Sequence, residues 1–330
     1  MRRSTVALIS IAAAIVLLAV VLKSTDTEAP SNTSTSAPDS TAATSSTTTA
    51  TSTTTSTTLP PGVAVCDLYQ SITTSGNVAA SDLVEASGLA ASRTTNDVLW
   101  SHNDSRGSPA LFALSTDGED LGEFHVPGAF ALDWEDMSAG PGPSGDGAYL
   151  YVGDIGDNFG IRGGLVTVYR VSDIAPSDLG EAFSESTALT YRYPAAENHN
   201  AEALFIDPSD PALYLMTKAK DATFVFRGSL EPSSGPIDLE LVTTLFLGAE
   251  ATAADMSSDG STLAVRGYQT VWMWHRGAEE SIDDMLTGEP CEAPSPEERQ
   301  GEAITLDAGL SYWTVSEGSN SSIQMVRRER

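Results

Sequence analysis

Three glutamates stand at one position of a short repeated motif, where their side chains could act together. Glu135, Glu202 and Glu302 begin the tripeptides Glu-Asp-Met, Glu-Ala-Leu and Glu-Ala-Ile, and two further copies begin with Ser87 and Ala254. If the copies form a ring, these side chains point toward a common axis. Two carboxylates about 6 Å apart repel each other by roughly 3 kcal/mol at an effective dielectric constant near 20. Such a group needs protonation, basic partners or a metal ion, and Ca²⁺ takes about 6 to 8 oxygen ligands of this kind.

Further polar residues stand at the same strand entries and in the turns after the second predicted strand of each copy. Together they form the predicted ligand-binding set: His102, Asn103, Asp104, Glu135, Asp136, Asp154, Asp157, Asn158, Glu202, Lys218, Asp255, Arg266, Glu302 and Glu317. The same turns also contain Arg106, Lys220, Tyr268 and Asn320. All five copies thus send polar residues to one predicted face, which we take as the candidate site.

Within this set the residue types predict separate roles. We predict calcium ligands at Glu135, Glu202 and Glu302, with Asp154 and Asp157 as outer ligands. The candidates for catalysis are His102 with Asp104 as an acid–base pair, and Lys218 with Arg266 as clamps for a phosphate group.

A structural explanation competes with each of these assignments. Asp, Asn and Gly form tight turns for backbone reasons, so a segment such as Gly-Asp-Ile-Gly-Asp-Asn at 153–158 is also explained as a turn. The sequence has no G-x-S-x-G, H-E-x-x-H or P-loop motif. Its four histidines lack the spacing of a zinc site.

The repeat itself predicts the fold. The five motifs end at Leu89, Met137, Leu204, Met256 and Ile304, at spacings of 48, 67, 52 and 48 residues. Each motif is followed by two runs rich in β-branched and aromatic residues, which is typical of strands. A period near 50 residues is typical of four-stranded blades. We therefore predict an all-β, five-bladed β-propeller with an insertion around 175–186, and a sixth, degenerate blade is the alternative. A β-sandwich lacks such a repeat, and a β-helix has a shorter one.

The two ends of the propeller are predicted to meet. The chain stops after the third run of the fifth copy, so the closing strand must come from elsewhere, and residues 63–72 are the natural donor. Cys66 and Cys291 are the two cysteines of the chain. Cys291 precedes the fifth motif, in the predicted entry loop of the last blade. We predict that the two cysteines form a disulfide that locks the ring closure, with two free thiols as the alternative.

The N-terminal residues indicate membrane attachment. Arg2 and Arg3 precede an uncharged stretch at 5–22, and roughly 18 apolar or small residues are long enough to cross a bilayer. We predict a signal-anchor transmembrane segment at 1–23, a disordered Ser/Thr-rich stalk at 24–62 and the propeller at 63–330. The propeller then lies on the extracytoplasmic side of the cell membrane, or is secreted if the N-terminal segment is cleaved.

The net charge of the chain indicates which classes of partner the propeller can bind. The 330 residues carry a formal net charge of −28, and the first 62 residues are balanced, so the propeller region holds the excess. A surface of this sign repels phosphate backbones, which argues against nucleic acid and favours a cation. Solubility of an exported protein is the simpler explanation for the same acidity.

Several segments resemble known propellers. The series SGLAAS, HNDS, WEDM, GDIGDN, AEALFID, GEAI and SEG, within residues 85–319, resembles a poorly characterised family of secreted bacterial propellers. The Glu-small-apolar motif is similar to that of the SdiA-regulated and esterase-like phytase propellers, where it reads Glu-Gly-Ile or Glu-Gly-Leu. Four copies here have Ala or Asp in place of that Gly, and the first has Ser in place of Glu.

These observations leave two classes of function. The first is a binding or scaffold module whose polar face takes a small molecule, a glycan or a protein. The alternative is a calcium-dependent hydrolase of phosphate esters or lactones, in which the cation polarises an oxygen and generates the nucleophilic water.

Overall fold

The described residues are 59–104, 107–178 and 185–329 of a computed structural model. The predicted transmembrane segment and most of the predicted stalk lie outside these ranges, as does Arg106. Within them, no helix is long and apolar enough to span a bilayer.

The described residues form five antiparallel sheets, each built mainly from consecutive strands. In chain order the strands are β1 (Tyr69–Asn77), β2 (Ala86–Ala91), β3 (Val98–Asn103), β4 (Ala110–Ser115), β5 (Asp120–His125), β6 (Trp134–Gly140), β7 (Tyr149–Asp154), β8 (Leu165–Ser172), β9 (Thr187–Arg192), β10 (Ala201–Asp207), β11 (Ala212–Thr217), β12 (Thr223–Ser229), β13 (Ile237–Asp238), β14 (Glu240–Leu245), β15 (Ala253–Met256), β16 (Thr262–Arg266), β17 (Val271–His275), β18 (Cys291–Ala293), β19 (Gly301–Leu306), β20 (Tyr312–Ser316) and β21 (Ser322–Arg328). Three short 3-10 helices lie at Val65–Leu68, Pro176–Asp178 and Pro194–Ala196, and one α-helical turn, α1, lies at Ile282–Met285.

The five sheets are the blades of a propeller. Blades 1 to 4 begin with β2, β6, β10 and β15, and blade 5 begins with β19. These innermost strands contact one another in the order β2, β6, β10, β15, β19 and back to β2, which closes a ring. The prediction of five blades is confirmed, and the described residues contain no sixth sheet.

The strands form where the sequence predicts them because apolar residues alternate along them or fill them entirely. Every residue of β2, β6, β10 and β19 is buried. Five hydrophobic clusters fill the five interfaces between neighbouring blades. Trp100 of blade 1 and Trp134 of blade 2, for example, lie in one cluster and are almost fully buried. Each blade is therefore held mainly by its two neighbours.

The long second spacing is an insertion at the outer edge of blade 2. Residues 173–186 connect β8 to β9, and the structure describes 173–178 and 185–186 of this connection. β13, which lies between β12 and β14 in the blade 3 segment, adds a short parallel strand beside β9. The connection thus joins the third strand of blade 2 to the next strand outward, β9, and does not interrupt the β6–β7 hairpin.

Ring closure occurs as predicted. β1 pairs antiparallel with β21, so the N-terminal strand is the outer strand of blade 5. Cys66, which precedes β1, forms a disulfide with Cys291 in β18, the outer strand of blade 4. The predicted disulfide is confirmed, and it links the closing segment to the neighbouring blade rather than to the entry of blade 5.

Candidate functional site

Strand register brings the polar residues of several blades to one face. Trp134 at the start of β6 lies opposite Asp154 at the end of β7, and Gly301 at the start of β19 lies opposite Ser316 at the end of β20. The entries of the innermost strands and the turns after the second strands therefore open on the same face. We call it the polar face.

Three carboxylates meet on the polar face between blades 1 and 2. Asp104 follows β3, Asp133 precedes β6, and Glu135 is the second residue of β6; one oxygen atom of each lies within 4.8 Å of the other two. Two oxygens bound to one Ca²⁺ at about 2.3–2.6 Å are separated by at most about 5 Å. We call these three residues the acidic cluster, and its spacing is suitable for a metal ion.

The residue two positions before each motif glutamate differs among the blades. In blade 3, Asn200 Nδ2 donates a hydrogen bond to Glu202 Oε1 at 3.2 Å. In blade 5, Gln300 Nε2 donates to Glu302 Oε1 at 2.7 Å. In blade 2 the same position is Asp133, a carboxylate within the acidic cluster. Two of the three glutamates thus receive an amide donor, whereas the third faces negative charge.

Glu135 is a buried member of the acidic cluster with a raised pKa. Burial and the negative charges of Glu202, Asp104 and Asp133 raise the pKa of Glu135 to about 11. Without a cation, its carboxyl group therefore carries a proton at neutral pH.

Gly156, in the loop after β7, explains how the acidic cluster can be so compact. A Cβ atom on Gly156 would lie 2.1 Å from Glu135 Oε1 and 2.5 Å from Asp133 Oδ2. The absence of a side chain lets the loop pass directly against both carboxylates.

Glu202 and Lys218 form an ion pair beside the acidic cluster. Lys218 Nζ lies 2.5 Å from Glu202 Oε2 and 5.1 Å from the centre of the Tyr268 ring. Burial raises the pKa of Glu202 against the opposing effect of Lys218, and the pKa of Lys218 is also raised, chiefly by Glu202, against burial. Lys218 therefore stays charged and offsets part of the negative charge on this face.

Glu302 and Glu317 form a carboxyl pair on the blade 5 side. Burial, a hydrogen bond with Glu302 and repulsion from Glu302 and Asp104 raise the pKa of Glu317 to about 8. Two carboxyl groups in hydrogen-bond contact share a proton, because both cannot be ionised cheaply. Glu317 can therefore exchange a proton near neutral pH.

His102 is buried in the interface between blades 1 and 2. Its ring lies edge-on to Trp134 with 5.4 Å between ring centres, and its Nδ1 is 2.9 Å from the Asn103 carbonyl oxygen. Burial lowers the pKa of His102, so the ring is neutral. Its packing gives His102 a structural role. An acid–base pair of His102 with Asp104 stays a prediction.

Asp136 and Asp255 brace the innermost strands at the ring axis. Asp136 accepts backbone hydrogen bonds from Met137, Leu204 and Ala254 and thereby joins β6 to β10 and β15. Asp255 accepts hydrogen bonds from Ser138 and from Thr305 and Leu306, which joins β15 to β6 and β19. Both side chains are fully buried, and their predicted role in ligand binding stays a prediction.

Four other members of the predicted set organise loops. Asp154 pairs with Arg162 and accepts a hydrogen bond from the Asp133 N–H, and Asp157 accepts from the N–H groups of Ile161 and Arg162. Asn103 accepts from the N–H groups of Val84 and Glu85, and Asn158 accepts from Asn200 Nδ2. Asp154 and Asp157 are not part of the acidic cluster.

Arg266 is the last residue of β16 and lies opposite Ala253 at the start of β15. Its side chain is fully buried and pairs with Glu298, which is also buried, directly beneath Gly301. Lys220 is exposed, and Asn320 occupies a left-handed turn with φ of 57°. Among the described residues, Lys218 is the basic side chain that forms an ion pair with one of the three motif glutamates.

Sequence reasoning did not single out Asp133 or Gly156. Asp133 stands outside the repeated tripeptide, but a comparison of the position two residues before each motif glutamate would have found it. Gly156 lies within the Gly-Asp-Ile-Gly-Asp-Asn segment, where glycine is expected for turn formation alone.

Comparison with known proteins gives structural similarity only. No family model matches the chain, and no curated protein matches its sequence. The PQQ-bound aldose sugar dehydrogenase of Streptomyces coelicolor is 12% identical over 78% of this chain and 98% of that chain, with a TM-score of 0.41. A gluconolactonase of Xanthomonas campestris is 11% identical over 78% of this chain and 89% of that chain, with a TM-score of 0.45. Similarity at this level says nothing about the chemistry of the polar face.

Proposed function

We propose that this protein is a membrane-anchored, extracytoplasmic binding module that holds Ca²⁺ on its polar face and uses the ion to bind an oxygen-bearing ligand. The observation that carries the proposal is the substitution of a carboxylate for an amide in blade 2. Asn200 and Gln300 each donate a hydrogen bond to the glutamate that follows, whereas Asp133 places a second negative charge against Glu135. A divalent cation between the two carboxylates compensates for the missing donor.

The type of ligand atoms favours a hard divalent cation such as calcium. Carboxylate oxygens are hard ligands, and the acidic cluster contains no sulfur or imidazole ligand. Three carboxylates fill only part of a coordination shell of about 6 to 8 oxygens. The remaining positions are available to water or to a ligand that approaches from the polar face.

The sequence supports the proposed extracytoplasmic location. The apolar stretch at 5–22 and the Ser/Thr-rich residues 24–58 support an anchor and a stalk that project the propeller from the membrane. The disulfide between Cys66 and Cys291 is consistent with an oxidising compartment.

Titration of calcium into chelator-treated, purified full-length protein tests the proposal by calorimetry. We expect one equivalent to bind, and Asp133→Asn and Glu135→Gln to abolish binding. Asp133→Asn is the sharper variant because it restores the amide present in blade 3 and should leave the fold intact. Asp210→Asn, at an exposed acidic residue that pairs with Arg227, is the matched control. If calcium produces no more heat or stabilisation than sodium at equal ionic strength, the proposal fails.

A second candidate function is favoured by the carboxyl pair of Glu302 and Glu317. A group with a pKa of about 8 beside Lys218 can donate or accept a proton near neutral pH, which hydrolysis of an ester or lactone requires. In that case a bound cation would polarise the substrate oxygen. Turnover of a phosphomonoester, phosphodiester or lactone that is lost on chelation and in Glu317→Gln would establish a hydrolase. Calcium binding without turnover would support the binding module alone.

A further inference from the structure

Four large apolar side chains are exposed on two neighbouring loops of blade 2. Phe130 and Leu132, before β6, are 77% and 58% exposed, and Phe159 and Ile161, between β7 and β8, are 76% and 75% exposed. Isolated exposed apolar residues are common, but a contiguous exposed apolar patch often marks a binding surface, and Leu132, Phe159 and Ile161 line one pocket. We call these four residues the apolar rim.

The loops that carry the apolar rim are held in place. The Phe130 N–H donates to the Tyr169 hydroxyl at 3.2 Å, and the Phe130 carbonyl accepts from Trp134 Nε1 at 2.9 Å. The Ile161 N–H donates to Asp157 Oδ1 at 2.8 Å. The backbone is thus hydrogen-bonded while the apolar side chains face solvent, an arrangement that lowers the entropic cost of binding a ligand.

A small pocket joins the apolar rim to the acidic cluster. It has a volume of about 130 Å³, and Leu132, Phe159 and Ile161 line it together with Asp133 and Gly156. Asp133 belongs to the acidic cluster, and Gly156 lies directly against Asp133 and Glu135. A ligand whose apolar part occupies this pocket therefore has its next atoms beside the proposed cation.

The size of the pocket limits what can occupy it. A cavity of about 150 Å³ accepts one benzene molecule in a protein core. A pocket of 130 Å³ that opens to solvent therefore suits a single aromatic ring or a short branched alkyl group.

A bilayer surface is the less favourable occupant of the apolar rim. The net charge of −28 opposes approach to anionic lipid. The volume of the pocket, about 130 Å³, also suits one aromatic ring better than a layer of acyl chains. The observations thus favour a small molecule.

We infer that the ligand of the polar face carries one aromatic or short branched alkyl group, which occupies the pocket of blade 2 while an adjacent oxygen atom binds the cation held by the acidic cluster. This inference rests on the proposed function, because the cation supplies the second point of attachment. The apolar rim then determines specificity, and the acidic cluster supplies a calcium-dependent anchor.

Two matched diols test the inference on the full-length protein. 1-Phenyl-1,2-ethanediol and 1,2-propanediol share a vicinal diol that can bind calcium and differ by a phenyl group in place of a methyl group. With saturating calcium, ligand-observed NMR should show that the phenyl compound binds roughly tenfold more tightly, since several additional carbons leave water. Phe159→Ser and Ile161→Ser should each remove most of this preference and leave calcium binding unchanged. Phe246→Ser is the control, because Phe246 is 79% exposed and lies at the end of β14 in blade 3.

The outcomes separate this inference from the proposed function. If calcium binds but the two diols have equal affinity, or if Phe159→Ser preserves the phenyl preference, the inference is overturned and the proposed function stands. If calcium does not bind, both are overturned. Calcium-dependent binding to phosphatidylserine vesicles that is lost in Phe159→Ser, without a preference between the diols, would assign the apolar rim to a membrane and overturn the inference.

Discussion

At the scale of single residues, the position two before each motif glutamate decides how that glutamate is stabilised. An amide at Asn200 or Gln300 offers an N–H donor to the following carboxylate. A carboxylate at Asp133 cannot donate when ionised, and it adds repulsion to the desolvation of Glu135. An amide donor thus stabilises the carboxylates of Glu202 and Glu302, whereas the carboxylate of Glu135 requires a proton or a cation.

Gly156 offers a direct test of this geometry. In Gly156→Ala the new Cβ would meet Glu135 Oε1 and Asp133 Oδ2 at distances far below van der Waals contact, so both carboxylates must move. We expect calcium affinity measured by calorimetry to fall at least tenfold, which is about 1.4 kcal/mol. Gly235→Ala is the control, since no atom lies within 4 Å of the added Cβ. Equal affinity in the two variants would show that the acidic cluster does not hold the ion.

Glu317 predicts how the stability of the calcium-free protein depends on pH. Its pKa is raised from 4.5 to about 8 in the folded state, so the folded state binds a proton that the unfolded state has lost. This contribution to stability is complete below about pH 4.5 and is lost as the pH rises to about 8.

Urea unfolding between pH 5 and 9 in the presence of a chelator measures this effect. The unfolding free energy of the wild-type protein should decline more steeply over this range than that of Glu317→Gln. The glutamine side chain can still donate to Glu302 but carries no titrating proton. Parallel pH profiles for the two proteins would mean that Glu317 titrates normally.

At the scale of the strand, Asp136 and Asp255 join the innermost strands of different blades through hydrogen bonds. The Asp136 carboxylate accepts three backbone hydrogen bonds, two of which come from β10 and β15 of other blades. These N–H groups are buried and would lack a partner without it, and each unsatisfied donor costs about 1–3 kcal/mol.

Substitution of Asp136 should therefore destabilise the whole ring. We expect Asp136→Ala to lower the free energy of unfolding by about 3 kcal/mol or more, because three donors lose their acceptor. Asp136→Asn should cost less, since one oxygen remains. Chemical denaturation gives both values, with Asp210→Ala at an exposed position as the control. A loss in Asp136→Ala no larger than in the control would contradict the bracing role.

The strands were more predictable than the contacts among their side chains. Runs such as Leu-Val-Thr-Val-Tyr-Arg-Val at 165–171 predict strands because their local composition suits a pleated, half-buried surface. The Glu-Asp-Met tripeptide gives no such guide, since Glu135 reaches the acidic cluster whereas Asp136 turns to the axis. Neighbouring residues of a strand point to opposite sides. The residues that each side chain then contacts belong to other blades and are distant in sequence, so the tripeptide alone does not predict them. Arg266 shows the same limit, because its burial depends on Glu298, 32 residues away.

At the scale of the whole molecule, the net charge and the closure of the ring both affect the stability of the propeller. A net charge of −28 makes the compact state repel itself electrostatically. A ring of five blades also has a single weak seam, where β1 must return from the N-terminus to pair with β21. Fraying of β1 would expose the edge of blade 5.

The disulfide protects this seam. It joins the 3-10 helix before β1 to the outer strand of blade 4, and the helix residue Val65 packs in the cluster between blades 4 and 5. The two cysteines are 225 residues apart, so the crosslink constrains nearly the whole propeller in the unfolded state. The chain-entropy model gives such a loop up to about 5 kcal/mol of stabilisation.

Removal of the crosslink should therefore lower the stability of all five blades together. We expect the Cys66→Ser/Cys291→Ser variant to unfold in one transition, with its thermal midpoint lowered by on the order of 10 °C, since about 1 kcal/mol shifts a domain of this size by roughly 2–4 °C. Wild-type protein treated with a reductant should match the variant, because the loss arises from the crosslink and not from the serine side chains. Calorimetric scans with and without reductant measure both. An early, separate transition would show instead that β1 detaches while the other four blades persist, and an unchanged midpoint would mean that the pairing of β1 with β21 secures the ring without the disulfide.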